Sequence, residues 1–166
     1  MLIIAFLLTF LTVAVMVTDL IKFKIPNIMV LAILLIYPVL LFIAPTMPDW
    51  QSALLVALAS FAGGFVIFAL KLMGGGDVKL FAVLTLYIGK SGFLDFLVGV
   101  GIYGGILTLF LLAIRPVSSY LVSKNRDTIT IPRVLKIGEP VPYGIAIGLS
   151  FLHTLWVVGI PGIAIN

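Results

Sequence analysis

Long apolar runs separated by short polar clusters make up most of the chain. Leu2 to Leu20, Ile28 to Ala44, Ala53 to Leu72, Phe93 to Ile114 and Val141 to Ile160 each suit a membrane-crossing helix, which takes roughly 20 mostly apolar residues. Val78 to Ile88 is shorter. It is either a sixth span that begins near Asp77, shielded by its neighbours, or the first half of one broken helix continuing into Phe93 onward. Basic residues decide between these, because Lys and Arg stay on the cytoplasmic side. With six spans and the N-terminus outside, one side receives Lys22, Lys24, Lys71, Lys79, Arg115, Lys124, Arg126, Arg133 and Lys136, and the other keeps only Lys90. With five spans the segment from Arg115 to Lys136 moves outside and the basic residues divide nearly evenly. The pattern therefore predicts an all-α polytopic membrane protein of six transmembrane helices, one domain over residues 1–166, with a cytoplasmic loop at about 115–139.

Composition agrees: 63% of residues are hydrophobic and 10% charged. The net charge of +4 follows from the loop bias, and no basic stripe interleaved with exposed aromatics points to nucleic acid. The absence of cysteine excludes disulfides, thiolate metal sites and a cysteine nucleophile. His153, the one histidine, has no carboxylate partners at its depth and reads as structural, so no metal site is expected. Gly63-Gly64, Gly101 with Gly104-Gly105, and Gly144 with Gly148 read as helix contacts, with Gly101-xxx-Gly105 and Gly144-xxx-Gly148 as the close-approach spacings, and Asp49 or Ser52 as the cap of the third helix.

Two acids remain conspicuous. Asp19, in Thr18-Asp19-Leu20-Ile21-Lys22, and Asp77, in Gly74-Gly75-Gly76-Asp77-Val78-Lys79, stand where apolar runs end, and carboxylates there are costly without a task. Singly, Asp19 reads as a juxtamembrane acid paired with Lys22, and Asp77 as the N-cap of the fourth helix after a glycine turn. The topology places both at one face. Two carboxyls a few ångströms apart in a poorly solvated site share one proton. One then takes a proton from water while the other polarises a carbonyl, which is aspartic-protease chemistry and calls for no cofactor. Gly74, Gly75 and Gly76 leave room for a substrate strand, and the triplet lacks the spacing of a phosphate loop.

At these residues the chain resembles the type IV prepilin peptidases. Asp19-Leu20-Ile21-Lys22-Phe23-Lys24-Ile25-Pro26-Asn27 is similar to the family's first aspartate motif, in which an Asp precedes Ile-Pro-Asn. Gly74-Gly75-Gly76-Asp77 is similar to its GxGD signature, and Pro142-Tyr143-Gly144 to its C-terminal segment. The resemblance implies a membrane aspartic peptidase that removes the short basic leader of prepilin-like substrates at the cytoplasmic face, in pilus biogenesis and protein secretion, with Asp19 and Asp77 catalytic. Larger bacterial members carry a cysteine-paired N-terminal segment and also methylate the new N-terminus. This chain starts directly in a span without cysteine, so the implied member is a small peptidase of the Flp/Tad type without the methyltransferase activity.

Neighbouring residues take lesser roles. Lys79, two positions after Asp77, is expected to snorkel to the headgroups; Pro26 to fix the start of the second span and Asn27 to cap it or to hydrogen-bond near the site, with capping the preferred reading; Asp127 and Glu139 to receive a basic leader. Competing readings are a small transporter or channel that binds a cation between Asp19 and Asp77, and an inactive pilus-assembly scaffold. Against the first, both acids lie at helix ends and no repeat supplies alternating access; against the second, the pair is intact.

Overall fold

The computed structural model describes residues 2–44, 49–124, 132–159 and 163. These residues form α1 (Leu2–Lys22), α2 (Asn27–Ile43), α3 (Trp50–Ala69), α4 (Gly75–Lys124), a single 3-10 turn (Arg133–Leu135) and α5 (Tyr143–His153), which loosens into a π-helical turn (Thr154–Val158). Three of them, Leu2–Lys22, Trp50–Ala69 and the stretch Gly75–Tyr120, are long and apolar enough to cross a membrane. Bulky side chains face outward along the helices, Ile3 and Phe42 being 84% and 90% exposed, as lipid-facing surface requires. This is an all-helical membrane protein.

The 50 residues of α4 are not one rod. Gly89 stands inside it at φ 66, ψ −170, a conformation essentially confined to glycine. The chain doubles back there: the rings of Phe81 and Phe96 stack at 5.0 Å, whereas an unbroken helix would hold them roughly 22 Å apart. We term the arms α4a (75–88) and α4b (90–124). The described residues thus contain six helical segments in alternating directions, and the broken-helix alternative survives only as a hairpin. The reversal is made by Gly89 alone, and Lys90 to Gly92 already belong to α4b.

Contacts fix the order of packing. Tyr87 of α4a donates its hydroxyl to the Ile33 carbonyl of α2, and the Tyr37 and Tyr87 rings meet edge-on at 5.2 Å. Gly64 of α3 lies against Val78. Ser150 of α5 donates to the Phe96 carbonyl of α4b at 2.8 Å, and Trp156 Nε1 donates to Thr9 Oγ1 of α1 at 2.9 Å. The Gly144-xxx-Gly148 expectation holds at Gly148, which sits on Thr12 and Met16 of α1. Of Gly101, Gly104 and Gly105 only Gly104 makes the expected contact, approaching Tyr143 and Ala146, while Gly101 and Gly105 face open space, so the contact face of α4b is set by Gly104 and not by the Gly101-xxx-Gly105 spacing.

The loop expected from residue 115 begins later. α4b continues through Pro116 to Lys124, so Arg115 is helical. Its guanidinium donates to the carbonyls of Val134 at 3.1 Å and Pro140 at 2.9 Å, and Ser118 donates to that of Leu135 at 2.8 Å. These bonds fold the 132–142 segment back against the end of the bundle. Asp127 and Arg126 lie outside the described residues.

Candidate active site

Asp19 occupies the last turn of α1, and Asp77 the first turn of α4a. The two line one cavity of about 780 Å³ with Phe23, Met73, Gly74 and Tyr143. A second cavity, of about 570 Å³, opens on their other side between Lys24, Pro26 and Gly76, and shares Asp19, Phe23, Gly74 and Asp77 with the first. The pair therefore stands where two cavities meet. Among the described residues no hydrogen bond joins the two carboxylates; each is held by a different helix start.

Asp19 is buried and its Oδ2 accepts the backbone N–H of Gly144 at 2.8 Å. Pro142 is the N-cap of α5 and makes no side-chain cap bond, so α5 begins with unsatisfied donors. Asp19 supplies from another helix the acceptor that a Ser or Asp would ordinarily supply locally. The fit depends on glycine, because a Cβ at Gly144 would lie 2.7 Å from Asp19 Oδ2 and 3.0 Å from Ile25 Cδ1. Gly144 was expected to be a helix contact; it is also the residue that orients Asp19. Pro142 followed by a helix of small residues was the available signal, since such a start presents N–H groups to an anion.

Asp77 is not the N-cap of its helix. The Val78 N–H bonds to the Gly74 carbonyl at 3.2 Å, which makes Gly74 the cap and Asp77 the third helical residue. Its carboxylate turns back to the Gly74 amide, in the manner of a capping box. The glycines before it are less open than a strand-binding track would need. Beta carbons there would approach Phe68 at Gly75 (3.3 Å), Ile25 at Gly76 (3.1 Å) and the Asp77 carboxylate at Gly74 (2.8 Å). Their smallness admits the chain's own atoms to the wall of the second cavity.

Pro26 is the N-cap of α2 at φ −64, ψ 128, and its carbonyl accepts the N–H of Met29 at 3.0 Å. Asn27 is therefore not the cap but the first helical residue, and its Oδ1 accepts from Lys79 Nζ at 3.2 Å. This replaces the capping and snorkelling expectations and agrees with the alternative for Asn27, a hydrogen bond near the site: the start of α2 lies within reach of the second turn of α4a, and the ammonium takes the nearer acceptor. Lys22, too, makes no ion pair with Asp19. Asp49 does cap α3, accepting the Ser52 N–H at 3.2 Å, and His153 Nδ1 meets the Tyr103 hydroxyl at 3.2 Å.

Sequence reading missed the rim. Phe23 and Lys71 both line the larger cavity and both have positive φ, 52° and 59°. Lys71 closes α3 in a Schellman turn, with Leu72 N–H on Ile67 O and Lys71 N–H on Phe68 O. The Arg133 guanidinium lies 5.0 Å over the Phe23 ring and pairs with Glu139 at 2.9 Å. Arg133 holds the Glu139 carboxyl below its ordinary value, chiefly by hydrogen bonding.

The fold and the site define a helical membrane protein with two carboxylates converging at one end of its bundle. A family comparison adds the particular assignment: the model of the type IV leader peptidase family matches residues 5–109, and the chain belongs to that family. Both aspartates fall within the matched stretch, and Gly144 lies beyond it. No curated protein and no solved structure matches the chain.

Proposed function

We propose that the chain is a membrane aspartic endopeptidase that removes the basic leader of type IV, Flp/Tad-like prepilins at the cytoplasmic face, with Asp19 and Asp77 as its catalytic pair. The observation that carries this reading is the convergence of the two carboxylates, from helices distant in sequence, on the junction of two cavities. An extended substrate crossing the junction would place residues in both cavities and its scissile bond at the pair. One carboxylate takes a proton from water as the water oxygen attacks the peptide carbonyl carbon, and the other, protonated, donates to the carbonyl oxygen. Collapse of the tetrahedral intermediate breaks the C–N bond: one carboxyl gives its proton to the departing amine while a hydroxyl of the gem-diol returns its proton to the other carboxylate, so the pair again holds one proton.

Six crossings of the inner membrane with the N-terminus outside agree with the charges. The carboxylate end gathers Lys22, Lys24, Lys71, Lys79, Arg115 and Arg133, while Lys90 stands at the other, which is the positive-inside distribution. Glu139, already matched to Arg133, would receive a leader cation by exchange, with Asp127 as a further acceptor. The test is co-expression with a Flp-type prepilin in a host lacking prepilin peptidases. Wild type should remove the leader, and Asp19→Asn and Asp77→Asn, inserted at equal levels, should leave it uncut. Cleavage surviving either substitution would overturn the assignment and reopen the cation-binding and scaffold readings.

A further inference from the structure

At the end of the bundle opposite the carboxylates lies a separate cavity of about 440 Å³. Its walls come from α2 (Tyr37), the start of α3 (Asp49, Ser52), the end of α4a (Tyr87) and the Gly89 reversal with Lys90 and Ser91. Four features make it a built site. Tyr37 is 7% exposed, and its buried hydroxyl has no hydrogen-bond partner; such an orphan costs about 1–3 kcal/mol unless something fills it. One water, with a share of about 30 Å³, falls far short of the volume. The helices α3 and α4b both begin here, and helix starts present N–H donors and partial positive charge. Finally, Asp49 and Lys90 both line the cavity but form no ion pair, the Arg133–Glu139 contact being the only one among the described residues. Asp49 is held below its ordinary carboxyl value first by hydrogen bonds from Ser52 and then by the Lys90 charge. Each therefore keeps capacity for an external partner.

A ligand that satisfies this set must offer oxygens to Lys90, Ser91 and the Tyr37 hydroxyl, and N–H donors to Asp49. A purely anionic group would leave Asp49 facing like charge, and a quaternary ammonium has no N–H to give it. We propose that this cavity binds the headgroup of a phospholipid that carries both a phosphate and a primary ammonium. The phosphoryl oxygens accept from Lys90, Ser91 and Tyr37, and the ammonium donates to Asp49. The acyl chains then lie along the apolar flank of the hairpin, in the leaflet away from the aspartates. The site owes nothing to the peptidase reading and stands or falls separately from it.

The test is native mass spectrometry of the full chain released from detergent with equal concentrations of dioleoyl phosphatidylethanolamine, phosphatidylcholine, phosphatidylglycerol or free O-phosphoethanolamine. The ethanolamine lipid should be retained about tenfold better than the other two lipids, and the free headgroup not at all, because only the lipid also buries its chains. Lys90→Gln should weaken retention about tenfold, the scale of one charge-assisted hydrogen bond. Tyr37→Phe keeps the ring and should weaken it severalfold, and Asp95→Asn, an exposed acid on α4b outside the cavity, should leave it unchanged. Thermal unfolding of each variant in lipid-free detergent, run in parallel, separates lost binding from lost folding. Equal retention of the three lipids, retention of the free headgroup, or indifference to both Lys90→Gln and Tyr37→Phe would each refute the site.

Discussion

Replacing Gly144 by alanine adds one carbon and no charge, yet it should disable catalysis. Its Cβ would stand 2.7 Å from Asp19 Oδ2 and 3.0 Å from both Asp19 Cγ and Ile25 Cδ1. Ile25 is packed against the core, so the Asp19 carboxylate, the end of a side chain, is the part that gives way. Retreating by several tenths of an ångström or more, it surrenders the 2.8 Å bond to the Gly144 N–H. Overpacking costs about 1–3 kcal/mol, and a hydrogen bond to a charged group contributes about 1.5–3 kcal/mol. Alanine recovers about 1 kcal/mol of helix propensity, so α5 should still form. The loss falls on alignment, where a displacement near 1 Å costs on the order of 10²-fold in rate. In a detergent assay with purified prepilin, run well below both melting temperatures, kcat/KM for Gly144→Ala should fall about 100-fold, or about 2.7 kcal/mol of transition-state stabilisation, with Tm lower by roughly 3–20 °C and the helical fold retained. Gly101→Ala, where a Cβ meets nothing within 4 Å, should match wild type. A Gly144→Ala enzyme with unaltered kcat/KM would refute the claim that this backbone N–H sets the position of Asp19.

Gly89→Ala should destabilise the protein by about 1–3 kcal/mol, since φ 66, ψ −170 is closed to a residue with a Cβ; a thermal melt should show Tm lower by at least about 3 °C, and an unchanged Tm would mean that the hairpin reverses elsewhere. Glu139 should titrate below 4.5, its unperturbed value, because Arg133 favours its ionised form. Its folded pKa being depressed, the contribution of the pair is present above pH 4.5 and is lost as pH falls through the folded-state pKa. Carbon-13 NMR of the Glu139 carboxyl should show the titration moving up toward 4.5 in Arg133→Gln, and an unmoved titration would remove the pairing.

The legible parts of this protein are those governed by solvent. Apolar runs outlined the helices, because lipid demands length and continuity, and the asymmetry of Lys and Arg separated six segments from five. Asp19 and Asp77 stood out because ionisable groups at the ends of apolar runs are expensive, and both line the same two cavities. What escaped depended on close contacts, not on polarity. No period in the sequence announces that Gly89 alone reverses the chain, or that α4b runs on through Pro116, where the extension is held by bonds from Arg115 and Ser118 to a segment some twenty residues away. Asn27 and Lys79 each had a sound local reading, as cap and as snorkelling cation, and a tertiary hydrogen bond replaced both. Gly144 was visible as a small residue; that its N–H would serve Asp19 could be inferred only once α1 and α5 lay side by side.

Positive φ occurs both at the rim of the aspartate cavity and at the reversal of the hairpin, but the residues filling it at these two places differ in kind. At the reversal near Lys90 the position belongs to glycine, which adopts it freely. At the rim of the aspartate cavity it belongs to Phe23 and Lys71, each strained by roughly 1–2 kcal/mol. The rim therefore holds conformational energy that the opposite end has released, and opening fluctuations should begin there. Its amides would exchange with deuterated solvent sooner than those beside Gly89, and a protease could use that readiness to admit a peptide strand without unfolding the bundle.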